Sequence, residues 1–280
     1  KTIDKIISDK LDVIIFLDIG MEPKMQILGS LRLAPFQCCA YGVPVTTGFK
    51  NIDYFFTSEI METNISEKKY SEKLVKIPAL GIDYENPAKI DIHDSINEKN
   101  NEEVIFLNLQ SNYKLLPQHD HIYFEILRRN PKSKFWFIGS KNEFIASKFK
   151  ERLSIVCQQN HISLNDFFTF YPQMSYDKYL DLIKKSDIIL DSFEWSGLNT
   201  SLDAISLNKP VVTSPSNFMR GRHTYGILKI LKIDELICSS KEDYINLATK
   251  LSKNLDFRNQ IQKKINDNKK LVFNNSKTIE

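Results

Sequence analysis

Glycine is scarce in this chain, 9 in 280 residues, and none of it forms a Gly-x-Gly-x-x-Gly run. That removes the fingerprint of a plain dinucleotide-binding oxidoreductase. Cysteine is scarcer still. Cys38, Cys39, Cys157 and Cys238 are scattered, with no Cys-x-x-Cys pair and no His-rich spacing. Neither a zinc site nor a disulfide framework is expected, and a reduced, cytoplasmic setting is. No apolar run approaches the ~20 residues of a membrane helix, and the start carries no signal-like pattern. Charge of one sign is lacking too: 38 Lys and Arg face 35 Asp and Glu, a net +3. So small an excess points to neither nucleic acid nor an anionic membrane as partner.

What is there is an alternation of short apolar blocks with helix-period segments. Strands are expected at Val13–Leu17, Phe36–Ala40, Asp53–Thr57 and Leu74–Ile77, with a short helix at Lys24–Leu31 that must stop before Pro35. A polar stretch, 87–102, reads as a linker. A second set follows, with strands at Val104–Asn108, Phe135–Ile138, Phe168–Tyr171, Ile188–Asp191 and Val211–Thr213. Its helices are expected at His119–Arg129, Asn142–Gln159, Tyr176–Lys184, Thr200–Leu207 and Arg222–Leu231, and two polar helices, Lys241–Asn254 and Phe257–Lys270, close the chain. Such alternation gives parallel sheets covered by helices on both faces. The expected fold is therefore α/β with two Rossmann-like lobes, over 1–86 and 103–280. The first residue is Lys1 and a strand comes almost at once, so the first lobe reads as partial and the chain as a fragment.

In parallel sheets of this kind ligands bind outside the carboxyl ends of the strands. Four loops fall there: 41–48, 109–116, 171–179 and 191–203. The last is the most informative. Ile188-Ile-Leu190 runs into Ser196, Gly197, Asn199, Thr200 and Ser201, with Asp203 about one turn later. A helix that opens this way aims free N–H groups and the positive end of its dipole outward, a ready diphosphate site, although the same residues are ordinary helix caps. Lys114 sits in a polar loop after a strand; solvent exposure is the common fate of such a lysine, and neutralising a diphosphate is the functional alternative. Tyr176 and Tyr179 share one helix face, suited to packing or to stacking on a base. Arg220, Arg222 and His223 lie at a helix start and are candidate anion contacts, or a solvated basic turn. Asp191 is placed to cap a turn.

Taken in order, these segments resemble the catalytic region of the O-GlcNAc transferase/SPINDLY-like glycosyltransferases. The first stretch, Leu31-Arg-Leu-Ala-Pro-Phe-Gln37, Tyr41-Gly-Val-Pro-Val-Thr-Thr-Gly48 and Ile52-Asp-Tyr-Phe55, is similar to that family's Leu-Arg-x-Ala-Pro-x-Gln, Gly-x-Pro-x-Thr-[Ser/Thr]-Gly and Asp-Tyr series. Tyr70-Ser-Glu-Lys-Leu74 continues it, and Asn108 to Lys114, Ser196–Ala204 and Pro210–Pro215 resemble the nucleotide-sugar site. The resemblance runs over roughly residues 10–255. It implies a GT-B type enzyme that moves a sugar, N-acetylglucosamine first, from a UDP-sugar (a GDP-sugar being the alternative) to a protein Ser or Thr hydroxyl. The transfer would be inverting and need no metal or other cofactor, in keeping with the lack of an Asp-x-Asp pair here. By it Lys114 is the catalytic phosphate contact. Thr200 and Ser201 offer hydroxyl and backbone N–H groups to the diphosphate, Asp203 holds the ribose and Tyr179 takes the base-stacking position. Asn199, Gly42, Pro44 and Thr46 belong to the donor-site motifs. Three departures stand out: Asn199 replaces the family's common His, Ile77-Pro-Ala-Leu80 lacks a histidine some relatives show, and the family's proposed histidine base or acceptor-positioning group lies upstream of Lys1. The bacterial asparagine N-glucosyltransferases are similar over the same motifs, and a nucleotide-sugar-binding module without catalysis is the rival of another class.

Overall fold

The computed structural model describes residues 1–87 and 103–273. It divides into two compact units, Lys1–Asp83 with Asn217–Arg220, and Tyr84–Ser216 with the described residues from Gly221 to Phe273. Apart from Pro87, the expected linker at 87–102 lies outside the described residues. Among those residues no helix is long and apolar enough to cross a membrane.

The first unit carries α1 (Thr2–Ser8), β1 (Val13–Phe16), α2 (Pro23–Gly29), β2 (Phe36–Ala40), β3 (Tyr54–Ser58) and β4 (Lys73–Ile77), the strands forming one parallel sheet in the order β1-β2-β3-β4. The expectation of a strand almost at Lys1 missed α1. Ile3, Ile6 and Ile7 have helical spacing, but the helix is only 7 residues long and buries none of them, so its period is weak. The Leu31–Gln37 motif is architectural. Gln37, fully buried, accepts from Leu33 N at 2.7 Å and donates to Leu31 O and Asn51 O at 2.9 and 2.7 Å. Arg32 makes a two-pronged pair with Asp53 at 2.6 and 3.0 Å, and this guanidinium holds the Asp53 carboxyl below its usual range. Asp53 directly precedes β3, which begins one residue later than expected, and its backbone still bonds to Gln37 and Lys73 on the neighbouring strands.

The second unit carries β5 (Val104–Asn108), α3 (His121–Arg129), β6 (Ser133–Ile138), α4 (Glu143–Gln159), α5 (Leu164–Phe167), β7 (Phe168–Tyr171), α6 (Tyr176–Lys185), β8 (Ile188–Leu190), α7 (Asn199–Ser206), β9 (Val211–Val212), α8 (His223–Leu231), α9 (Lys241–Lys253) and α10 (Leu255–Asn268). Three of these helices start where a side chain caps them. Asn142 accepts from Phe144 N and Ile145 N, Ser240 from Asp243 N, and Asn254 from Phe257 N, which fixes the starts of α4, α9 and α10. The sheet is parallel, in the order β7-β6-β5-β8-β9. Its strands are apolar on both faces because helices cover both. Ile188, Ile189 and Leu190 are all buried, and Phe106, Phe135 and Phe168 stack across three neighbouring strands at 5.3 Å between centroids. Full burial of each such side chain stabilises the fold by about 1.5–3 kcal/mol.

This strand order decides where a ligand can go. β5 is central; the chain runs outward through β6 and β7, then returns to the other side of β5 with β8. The order reverses between β5 and β8, so the loops that leave their carboxyl ends diverge and leave a crevice.

Candidate functional site

The loop after β8 is built on one buried carboxylate. Asp191 follows Leu190; its Oδ1 accepts from Ser192 N at 3.1 Å and Gly197 N at 2.9 Å, and its Oδ2 from the hydroxyls of Ser196 at 2.6 Å and Thr213 at 2.7 Å. Burial pushes its pKa up; the Ser196, Gly197 and Thr213 donors oppose that. Asp191 therefore shapes the turn, as its position in the sequence suggested. Thr224 joins the same network, at 2.9 Å from Ser196 Oγ and 2.7 Å from Ser201 Oγ. Ser201 is buried, and its hydroxyl is engaged there rather than turned outward. Gly197 is required by space: a Cβ would overlap Thr200 Oγ1, Gln110 Nε2 and Ser201 Oγ.

The loop after β5 meets this turn. Gln110 donates from Nε2 to Thr200 Oγ1 at 2.6 Å, and Lys114 Nζ donates to Gln110 Oε1 at 3.2 Å. The result is a relay, Lys114 to Gln110 to Thr200, that ties the lysine to the first turn of α7. The lysine is not the solvent-facing kind. Its ammonium lies 5.5 Å from the Trp195 ring, and burial lowers its pKa while the Asp191 charge resists. Gln110 was not singled out in the sequence; a glutamine in a polar loop has no spacing that marks it.

Beside the relay opens a pocket of about 380 Å³, lined among others by Gln110, Gly139, Tyr176, Tyr179, Thr200 and Asp203. Tyr176 and Tyr179 stack on each other, centroids 5.8 Å apart. Asp203 is only 3 % exposed, and Tyr176 and Tyr84 donate their hydroxyls to its Oδ1 at 2.7 and 3.1 Å. Burial raises the Asp203 pKa against these phenol hydrogen bonds. Asn199 is the exposed first residue of α7. Lys114, Tyr179, Asn199, Thr200, Ser201 and Asp203, expected at one site, thus fall on the two loops at the switch point and the helices that flank them.

Other expected residues are elsewhere. Gly42, Pro44 and Thr46 belong to the first unit. Gly42 N donates to Leu17 O at 3.1 Å, and Thr46 Oγ1 donates to Glu72 at 2.8 Å. Thr47 also donates to Glu72, through its hydroxyl and, at 2.8 Å, its backbone N–H, so this loop is organised around a buried carboxylate of its own. Arg220 also lies in the first unit, 4.5 Å over Phe218. Arg222 reaches Ser216 O at 3.3 Å and covers the Tyr225 ring at 4.1 Å. The basic turn is therefore divided between the units, and His223 joins the Asp191 network.

His223 is 3 % exposed, and its Nδ1–H donates to Ser196 O at 3.2 Å. Burial, with the Lys114 charge adding, lowers its pKa from 6.5 to about 4. The unfolded chain takes up a proton as pH falls through about 6.5, and the folded chain does not until about 4. Stability from this group is complete above that window and is lost as pH falls through it, on the order of 3 kcal/mol in all. Urea unfolding at about pH 7 and about pH 4.5 is expected to show the loss, and His223→Gln to flatten the dependence. An equal slope in the variant would assign the effect to other groups.

The two parallel α/β units are those of a GT-B fold, which the chain shares with solved glycosyltransferase structures. Residues 87–278 match the model of Glycosyl transferase family 41, and the chain belongs to that family. It is similar to the UDP-glucose:protein N-beta-glucosyltransferase of Actinobacillus pleuropneumoniae, 25% identical over 253 residues, covering 89% of this chain and 40% of that protein. It is also similar to the probable UDP-N-acetylglucosamine–peptide N-acetylglucosaminyltransferase SPINDLY of Petunia hybrida, 22% identical over 245 residues, covering 88% of this chain and 26% of that one. Among solved structures, an O-GlcNAc transferase mutant from Thermobaculum terrenum shares the fold with a TM-score of 0.83 at 20% identity, over 99% of this chain and 52% of the other. Anabaena HepE, in complex with UDP and glucose, gives a TM-score of 0.64 at 9% identity, over 99% of this chain and 78% of that one. The chain thus spans well under half the length of these two curated relatives.

Proposed function

We propose that the second unit binds a nucleoside diphosphate sugar, a UDP-sugar first, and that the protein transfers the sugar to a protein or peptide side chain. The observation that carries this reading is the Lys114–Gln110–Thr200 relay beside the start of α7, at the strand-order switch. In the reaction the acceptor hydroxyl attacks the anomeric carbon as the bond to the diphosphate oxygen breaks, with inversion. The bonding electrons pass to the diphosphate, and the acceptor's proton passes to a base. Lys114, as its ammonium, and the N–H groups at Asn199–Ser201 take up the charge on the leaving diphosphate; groups fixed in advance do this without reorganising. Asp203 holds the ribose and Tyr179 flanks the base. No cofactor beyond the donor is part of this reading, which also places the protein in the cytoplasm with neither nucleic acid nor membrane as partner.

N-acetylglucosamine on Ser or Thr is the first transfer to assay. Glucose on asparagine is the second, favoured by the similarity to the Actinobacillus enzyme. Calorimetry with UDP and GDP tests the site itself. UDP is expected to bind, and Asp203→Ala to weaken it by about 1.5–3 kcal/mol, the scale of hydrogen bonds to a charged group. A variant that loses stability but keeps full affinity would make Asp203 a structural carboxylate and refute the assignment.

A further inference from the structure

Asp203 is held in an unusual way. A carboxylate taken almost wholly out of water needs strong donors. Here two phenols supply them, and both address the same oxygen, Oδ1, from Tyr176 at 2.7 Å and Tyr84 at 3.1 Å. Tyr176 opens α6 beside the pocket. Tyr84 comes from 119 residues away in sequence and is the first residue of the second unit. Its ring lies 6.3 Å from that of Phe273, itself buried. Tyr84 is thus fixed at both ends, by the ring and by the hydroxyl.

We propose that Tyr84 is a positioning residue for nucleotide recognition: its phenol, with that of Tyr176, locks the Asp203 carboxylate so that Oδ2 meets the ribose hydroxyls. This rests on the reading of the pocket as a nucleotide site. A carboxylate offers about four lone-pair directions. With both donors on Oδ1, Oδ2 is the oxygen left to accept from a diol. A phenol donates a hydrogen bond without bringing a cation, so the carboxylate keeps its full pull on an incoming hydroxyl, which a lysine or arginine partner would weaken.

The test is calorimetric titration with UDP and with the analogue lacking both ribose hydroxyls. The unaltered protein is expected to prefer UDP. Tyr84→Phe keeps the ring against Phe273 and removes only the donor; it is expected to weaken UDP roughly tenfold, about one hydrogen bond to a charged group, and to leave the analogue within about twofold. Tyr176→Phe, at a 44 % exposed position, is expected to give the same signature and serves if Tyr84→Phe does not fold. Variants that melt earlier yet keep the full preference for UDP over the analogue would overturn the proposal, reducing Tyr84 to an anchor of the chain. An unaltered protein that binds UDP and the analogue equally would instead refute the ribose assignment of Asp203, and with it this inference.

Discussion

Replacing Lys114 by alanine is expected to cut sugar transfer by about 10²–10³ while the second unit stays folded. The size follows from what the residue does. A departing diphosphate gains charge as the glycosidic bond breaks, and a half-buried ammonium acts on it in a medium less polar than water. The relay sharpens the expectation. With Lys114 gone, Gln110 still reaches Thr200, so the first turn of α7 stays in place and ground-state binding falls less than turnover. Single-turnover kinetics beside UDP titration separate the two. Equal losses in binding and in rate would make Lys114 a general donor contact, and near-normal turnover would remove it from the chemistry.

Gly197→Ala is expected to be as damaging by a different route. The added methyl would need the space of Thr200 Oγ1, Gln110 Nε2 and Ser201 Oγ. Thr200 Oγ1 and Ser201 Oγ sit on short side chains, and Gln110 Nε2, the end of a longer one, can move aside only by giving up its bond to Thr200. Overpacking costs about 1–3 kcal/mol of stability, which the variant is expected to survive. Nucleotide affinity is expected to fall about a hundredfold, because the methyl displaces Thr200 and Ser201 and with them the first turn of α7, whose N–H groups are to meet the diphosphate. A folded variant with affinity within about fivefold of the parent would show that this turn is not needed for binding.

These residues also mark what could be read in the sequence. The Ile188–Leu190 block followed by a glycine turn and a hydroxyl-rich helix start was legible, because parallel strands buried on both faces leave continuous apolar runs and helix starts leave small polar residues. Asp191 as a turn-former was legible for the same reason. The order β7-β6-β5-β8-β9 was not: a sequence shows strands but not which of them pair, and the switch point follows only from the pairing. Gln110 and Tyr84 were invisible, since each acts on a residue 90 or more positions away and no local pattern announces that. The Ser201 hydroxyl illustrates a further limit. Its position beside Thr200 in the helix start suggested a ligand contact, yet one residue of helical rotation turns it to Thr224 inside. The first unit's Leu31–Gln37 motif likewise holds its own backbone, through Gln37 and the Arg32–Asp53 pair.

The claim on which the rest depends is that the nucleotide sits in the second unit, at the loops that leave β5 and β8. Amide hydrogen exchange with and without saturating UDP tests it most directly, since a ligand raises the opening free energy of the segments that bind it. The largest added protection is expected in residues 109–116, 176–180 and 196–203, with little change in 1–83. Protection confined to 1–83, or no change in those three segments under saturating UDP, would contradict it.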